Sequence, residues 1–86
     1  MNFALRYAPQ AKEGLEKLFR LGLKDLAEKS LLKISSSPYT GKKLAGRLTG
    51  LYSSRITRKY RVIYKVFPDT QSVIILDVSH RKESYR

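Results

Sequence analysis

Phe3, Leu5 and Tyr7 alternate with Ala4, Arg6 and Ala8, so the chain opens on a strand whose successive side chains take opposite faces. Pro9 suits the first turn of a helix, where its missing N–H costs nothing. From Ala11 the apolar positions Ala11, Leu15, Leu18 and Phe19 recur at spacings of three and four, which predicts an amphipathic helix. Gly22 is placed to cap it. A second helix follows from about Lys24, with Leu23, Leu26, Ala27, Leu31 and Ile34 on its apolar side and Ser35-Ser36-Ser37-Pro38 stopping it. The stretch from Tyr39 to Gly50 reads as a loop. Three strand-like runs close the chain, Leu51–Thr57, Tyr60–Phe67 and Ser72–Ser79, with Pro68-Asp69-Thr70-Gln71 as the turn between the last two. The predicted order is β-α-α-β-β-β. This is an α+β fold, a small twisted and mainly antiparallel sheet with an N-terminal helical hairpin on one face, in one domain over residues 1–86.

Alternation then assigns faces. Tyr60, Val62, Tyr64 and Val66 form the natural core side of their strand, and Arg61 projects from the opposite side. Arg55 lies opposite Ile56 and is expected to point away from the helices too. The last strand is apolar on both faces until Asp77 and ends in Ser79-His80-Arg81-Lys82, where a strand edge meets the open face. The expectation is an uncovered, positively charged sheet surface.

Charge sharpens that expectation. The 86 residues carry 18 Lys and Arg against 7 Asp and Glu, a formal net charge of +11. The excess is concentrated in the second half. Between Lys42 and Lys65 stand Lys42, Lys43, Arg47, Arg55, Arg58, Lys59, Arg61 and Lys65 with no acid among them. Such a face attracts polyanions by releasing their counterions, and these eight residues with Lys82 are candidate RNA or phosphate contacts. A merely solubilising surface is the alternative, and an acid-free segment that also reads as strands favours nucleic acid. Cysteine is absent and there is one histidine, so no disulfide, metal or cofactor is expected. The longest apolar run, Val73–Leu76, is too short to span a bilayer, and the N-terminus lacks a signal-peptide layout, which predicts a cytoplasmic protein with no membrane partner. Gly41-Lys42-Lys43-Leu44-Ala45-Gly46 has phosphate-loop spacing, but Arg47-Leu48 follows where Lys-Ser/Thr is required.

Three runs carry a resemblance: Leu48–Thr57, then Tyr60-Arg61-Val62-Ile63-Tyr64-Lys65-Val66, then Val78-Ser79-His80-Arg81-Lys82-Glu83-Ser84-Tyr85-Arg86. In this order they resemble the RelE/ParE superfamily of toxin–antitoxin toxins, and within it the RelE and YoeB ribonucleases. The resemblance implies a ribosome-dependent mRNA endonuclease that inhibits translation and is itself inhibited by a cognate antitoxin, with the ribosome and mRNA as further partners. It matches Arg61 to a strand arginine on the scissile phosphate, His80 to the C-terminal histidine acid of YoeB-like members, Arg81 to a second phosphate-binding arginine, and Tyr85 to a C-terminal tyrosine. It assigns no base. Where YoeB-like enzymes place a glutamate this chain has Lys42 and Lys43, and where RelE has a lysine pair it has Ser53, Ser54 and Arg55.

These residue types suit metal-independent cleavage, because RNA brings its own nucleophile, the ribose 2′-hydroxyl. Arg61 and Arg81 would hold the non-bridging oxygens as charge builds, and His80 would move a proton. Tyr85 and Tyr52 would donate to phosphate or stack on a base. Each has a plainer role open to it: Arg61 as an ion-pair partner of Asp77, His80 as a surface residue, Tyr85 as packing, Arg55 as a solvated strand residue. Two other functions share the pattern, a ParE-like inhibitor of DNA gyrase and a non-catalytic nucleic-acid-binding module. An antitoxin is expected to be acidic in its toxin-binding segment, complementing the basic sheet.

Overall fold

The alternating runs pair into one sheet in the computed structural model, which describes residues 2–81. The elements are β1 (Ala4–Tyr7), α1 (Pro9–Arg20), α2 (Lys24–Ser36), β2 (Lys42–Lys43), β3 (Tyr52–Arg55), β4 (Tyr60–Phe67) and β5 (Ser72–His80). Among the described residues the sheet order is β1-β5-β4-β3-β2, with β1 parallel to β5 and every other pair antiparallel. The predicted order holds, with one addition. The segment read as a loop contributes the two-residue strand β2, too short to leave a period in the sequence, and two 3₁₀ turns, Pro38–Thr40 and Gly46–Leu48. No described helix is long and apolar enough to cross a membrane.

Both helices lie on the face carrying Val62 and Tyr64, as alternation requires. Their buried side chains are Ala11, Leu15 and Leu18 from α1 and Ala27, Leu31 and Ile34 from α2, packed with Ile56, Val62, Tyr64, Val73, Ile75 and Val78. Gly22, at φ +79°, supplies the left-handed residue after α1. Leu26 and Phe19, expected on the apolar sides, are 44% and 42% exposed. Each sits beside a deeper apolar neighbour, Ala27 and Leu18, that takes the core position in its place. The opposite face is not uncovered as expected: its register partners Ser53 and Ile63 are buried, so the middle of that face is closed.

The longest ladder, between β4 and β5, contains an irregularity that alternation alone does not foresee. Tyr64 pairs with Ile75 but Ile63 pairs with Asp77, so Leu76 is an extra residue on β5. A bulge of this kind reverses which face each later residue takes. Val73 and Ile75 face the core before it, and Val78 faces the core after it. The helix hairpin follows this rearranged strand closely. A Cβ placed on Gly14 of α1 would run into the Val78 carbonyl, so glycine lets the helix lie directly on the β5 backbone. Across the sheet, the buried Tyr64 hydroxyl donates to the Pro38 carbonyl at 2.7 Å, tying the end of the helical region to the strand floor.

Two stability measurements follow. In Gly14→Ala the helix-propensity gain, about 0.5–1 kcal/mol, opposes a collision with backbone that cannot swing aside, about 1–3 kcal/mol. A net loss of about 1–2 kcal/mol is expected in urea unfolding. Burial pushes the Tyr64 hydroxyl up from 10.0 to about 12. The unfolded chain therefore releases this proton first, so its contribution is complete below pH 10 and is lost as pH rises towards 12. Tyr64→Phe should be less stable at neutral pH, by about 1–2 kcal/mol for the lost buried hydrogen bond, and should lose less than the wild type between neutral pH and about pH 11.

Candidate nucleic-acid interface

The basic turn between β3 and β4 is built by one hydroxyl. Thr57 Oγ1 accepts the backbone N–H groups of Lys59 and Tyr60 at 3.1 and 3.2 Å, while the Ile56 N–H donates to the Tyr60 carbonyl at 2.9 Å. This closes a tight turn that displays Arg58 and Lys59 to solvent. The Ser30 hydroxyl of α2 donates to the Arg55 carbonyl at 3.1 Å and holds the strand that enters the turn. The end of β5 is drawn to the same place, where the Arg81 N–H donates to the Lys59 carbonyl at 2.6 Å. Arg58, Lys59, His80 and Arg81 together line a cleft of about 560 Å³.

The strand register adds the other arginines. Arg55 lies opposite Arg61, and Arg61 lies opposite Ser79, so three strands bring Arg55, Arg61 and Ser79 into one row on the face away from the helices. Arg61 is half-buried and its Nε is shut off from solvent, whereas Arg55 is exposed. As read from the sequence, Arg61 stands outside the helical layer and one residue along the ladder from His80.

His80 itself is placed differently from the expectation. The bulge at Leu76 turns it to the helix side, opposite Tyr60, and the two rings meet edge to face with centroids 5.6 Å apart. It forms part of the wall between two spaces: the basic cleft, and a second cleft of about 240 Å³ beneath α1 that includes Gln10, Glu13, Lys17, Tyr60 and Asp77 in its lining. Asp77 accepts from Gln10 Nε2 at 3.0 Å and from the Ser79 hydroxyl at 2.8 Å. That carboxylate is thus engaged with α1 and its own strand, and β4 presents Ile63, not Arg61, across from it. Gln10, Glu13 and Lys17 were not singled out from the sequence. Their spacing places them on one polar face of α1, but that the face overlooks His80 depends on the bulge.

The remaining candidates divide. Lys42 and Lys43 are exposed on the edge strand β2, and Arg47 is exposed in the following 3₁₀ turn, both at a distance along the sheet from the basic cleft. Lys65 is exposed on β4 with its Nζ 5.3 Å from the Phe67 ring centre. Tyr52 stacks on Tyr64, 5.6 Å between centroids, on the helix side and away from His80, so it does not belong to the basic cleft. Lys82 and Tyr85 lie outside the described residues.

Comparison with known proteins gives concordant relatives. The family model for the ParE toxin of the type II toxin–antitoxin system parDE matches residues 5–85. Toxin RelG of Mycobacterium tuberculosis (strain ATCC 25618 / H37Rv) is 32% identical over 87 residues, covering 100% of this chain and 99% of RelG. In the crystal structure of the toxin–antitoxin complex RelBE2 from Mycobacterium tuberculosis, a chain 30% identical superposes with a TM-score of 0.78 over 94% of this chain and 100% of that one. A YoeB/ParE toxin from Agrobacterium tumefaciens shares the fold at a TM-score of 0.80, covering 91% of this chain and 98% of that one, with 19% identity.

The Arg55–Arg61 pairing sets like charges opposite one another, which costs about 0.2–1 kcal/mol in a ladder. Arg55→Ala should therefore raise the urea midpoint at low ionic strength. The gain should shrink in high salt, where exposed charges are screened.

Proposed function

Because the chain belongs to the RelE/ParE superfamily of type II toxin–antitoxin toxins, we propose that it is a ribosome-dependent mRNA endonuclease with its chemistry at the Arg61–His80 end of the sheet. The observation that carries the reading is the convergence of the Thr57-closed turn and the end of β5 on one basic cleft with the chain's single histidine in its wall. In this reading Arg58, Lys59 and Arg81 draw the mRNA backbone into the cleft. Arg61, half-buried on the opposite face at the same end of the sheet, would reach round the strand ends to the scissile phosphate, where preorganised charge lowers the barrier as the phosphorane forms. The 2′-hydroxyl attacks, the bond to the 5′-oxygen breaks, and His80 protonates that oxygen, leaving a 2′,3′-cyclic phosphate and a 5′-hydroxyl without a metal. Edge contact with Tyr60 restricts the imidazole to few orientations, which suits a group that must meet one oxygen. The cognate antitoxin that restrains the toxin is a chain with an acidic segment laid over the same cleft; the RelBE2 relative, solved as a toxin–antitoxin complex, supports such a partner.

A second reading has its own support, since the matching family model is that of the ParE toxin. It makes the chain an inhibitor of DNA gyrase acting by protein contact. The two separate in a translating extract. The nuclease reading expects mRNA ends that appear when ribosomes engage the message, falling about 10²–10⁴-fold in His80→Gln. Arg61→Ala is expected to lose about 10²–10³-fold, the scale of one preorganised donor. Intact mRNA with gyrase inhibition would select the ParE reading, and undiminished cleavage by Arg61→Ala would remove Arg61 from the mechanism.

A further inference from the structure

The end of the sheet farthest from His80 carries a different kind of surface. A cleft of about 410 Å³ lies beside the β2 edge, with Tyr39, Lys43, Leu51, Tyr52, Val66 and Pro68 in its lining. Tyr39 is 53% exposed although it belongs to an aromatic series. Phe3 meets it edge to face at 6.2 Å, Tyr39 meets Tyr52 edge to face at 6.0 Å, and Tyr52 stacks on the buried Tyr64 at 5.6 Å. The ring is therefore fixed on one side by the core and open on the other. Its backbone is fixed as well, because the preceding Pro38 is buried and its carbonyl accepts the Tyr64 hydroxyl. The exposed Lys43 of β2, paired with Tyr52, lines the cleft. The nearest acid along β4 and its turn is Asp69, after Pro68.

We propose that this cleft is a second RNA subsite, in which an unpaired nucleobase of single-stranded RNA stacks on Tyr39 while Lys43 holds a flanking phosphate. A rigid, half-exposed aromatic ring beside an exposed lysine satisfies both needs of single-strand binding, since every base has a π-face and every linkage a negative charge. The apolar floor of Leu51, Val66 and Pro68 suits a flat base and offers nothing to a bare phosphate. From Tyr60 to Val66 the β4 strand rises about 20 Å at roughly 3.3 Å per residue, so this subsite contacts RNA away from the scissile bond. Its role is to grip and orient the strand, and it requires no proton transfer. The inference rests on RNA being the ligand of the protein, as proposed above.

The test uses purified wild-type protein and a short single-stranded RNA carrying 5-iodouracil, irradiated and mapped by peptide mass spectrometry. A crosslinked peptide containing Tyr39 is expected. Crosslinks confined to the Arg58–Lys59 and His80–Arg81 segments, or failure to bind the RNA at all, would overturn the subsite, while the ribosome-dependent nuclease reading stands or falls on the cleavage assay in the translating extract. In parallel, Tyr39→Ala should weaken RNA binding about tenfold and Tyr39→Phe should retain it. Inorganic polyphosphate, which has no bases, should bind Tyr39→Ala as well as it binds the wild type. Equal loss of RNA and polyphosphate binding would mean that the site reads charge alone, and would also overturn the proposal.

Discussion

The β4–β5 ladder is the constraint on which the molecule turns. It supplies Val62, Tyr64, Val73, Ile75 and Val78 to the core, and among the described residues it joins β1 on one side of the sheet to β3 and the edge strand β2 on the other. A chain of 86 residues buries a modest share of its surface, about 60–65%, so it has few other places to gain stability. The extra residue Leu76 sits within this ladder. It lets β5 keep its apolar side against the helices in the first half while presenting Val78 and His80 to the helix side in the second. Because α1 lies on the Val78 backbone through Gly14, the placing of the helix and the placing of the histidine follow from the same irregularity.

That coupling explains which parts could be read from the sequence. Apolar spacing predicts both helices, and period-two alternation predicts β1, β4 and the outward side of Arg61, because these elements are regular. β4 runs over Tyr60–Phe67 in both the reading and the structure. The short strand β2 is fixed by pairing with β3 and not by any pattern of its own. The sequence places His80 where a strand edge meets the open face, and the structure turns it to the helix side; a bulge is a tertiary choice, and Ile74-Ile75-Leu76 is apolar on every register. One local clue was present in the isolated Gly14 within a helical pattern, which signals close backbone approach. The identity of what approaches lay beyond it.

Electrostatics and packing are divided between the layers. On the helix side the core is apolar and closed, and on the other side the centre is closed by Ser53 and Ile63. The strongly basic groups thus stand at exposed positions of helices, strands and turns, where water screens their mutual repulsion. This distribution is how so small a fold carries a net charge of +11 without burying it. The exception is Arg61, half-buried and facing Arg55, a placement that spends stability to hold a cation at one position. Preorganised charge is useful because it need not be gathered when the negative charge forms, and a solvated lysine on a mobile stem lacks that property.

The position of His80 adds a constraint on the chemistry proposed for it. An acid that gives its proton to a leaving oxygen must face the phosphate, yet it must be re-protonated after each turnover. In the wall between the basic cleft and the polar cleft under α1, the imidazole borders Arg58, Lys59 and Arg81 on one side and Gln10, Glu13, Lys17 and Asp77 on the other. The extra residue Leu76 turns His80 to the helix side, beside the cleft that Glu13 and Asp77 help to line, with Arg61 one residue away along the ladder on the opposite face. The bulge therefore sets the imidazole between a basic cleft and a polar one, where unbroken alternation would have turned it to the face of Arg61.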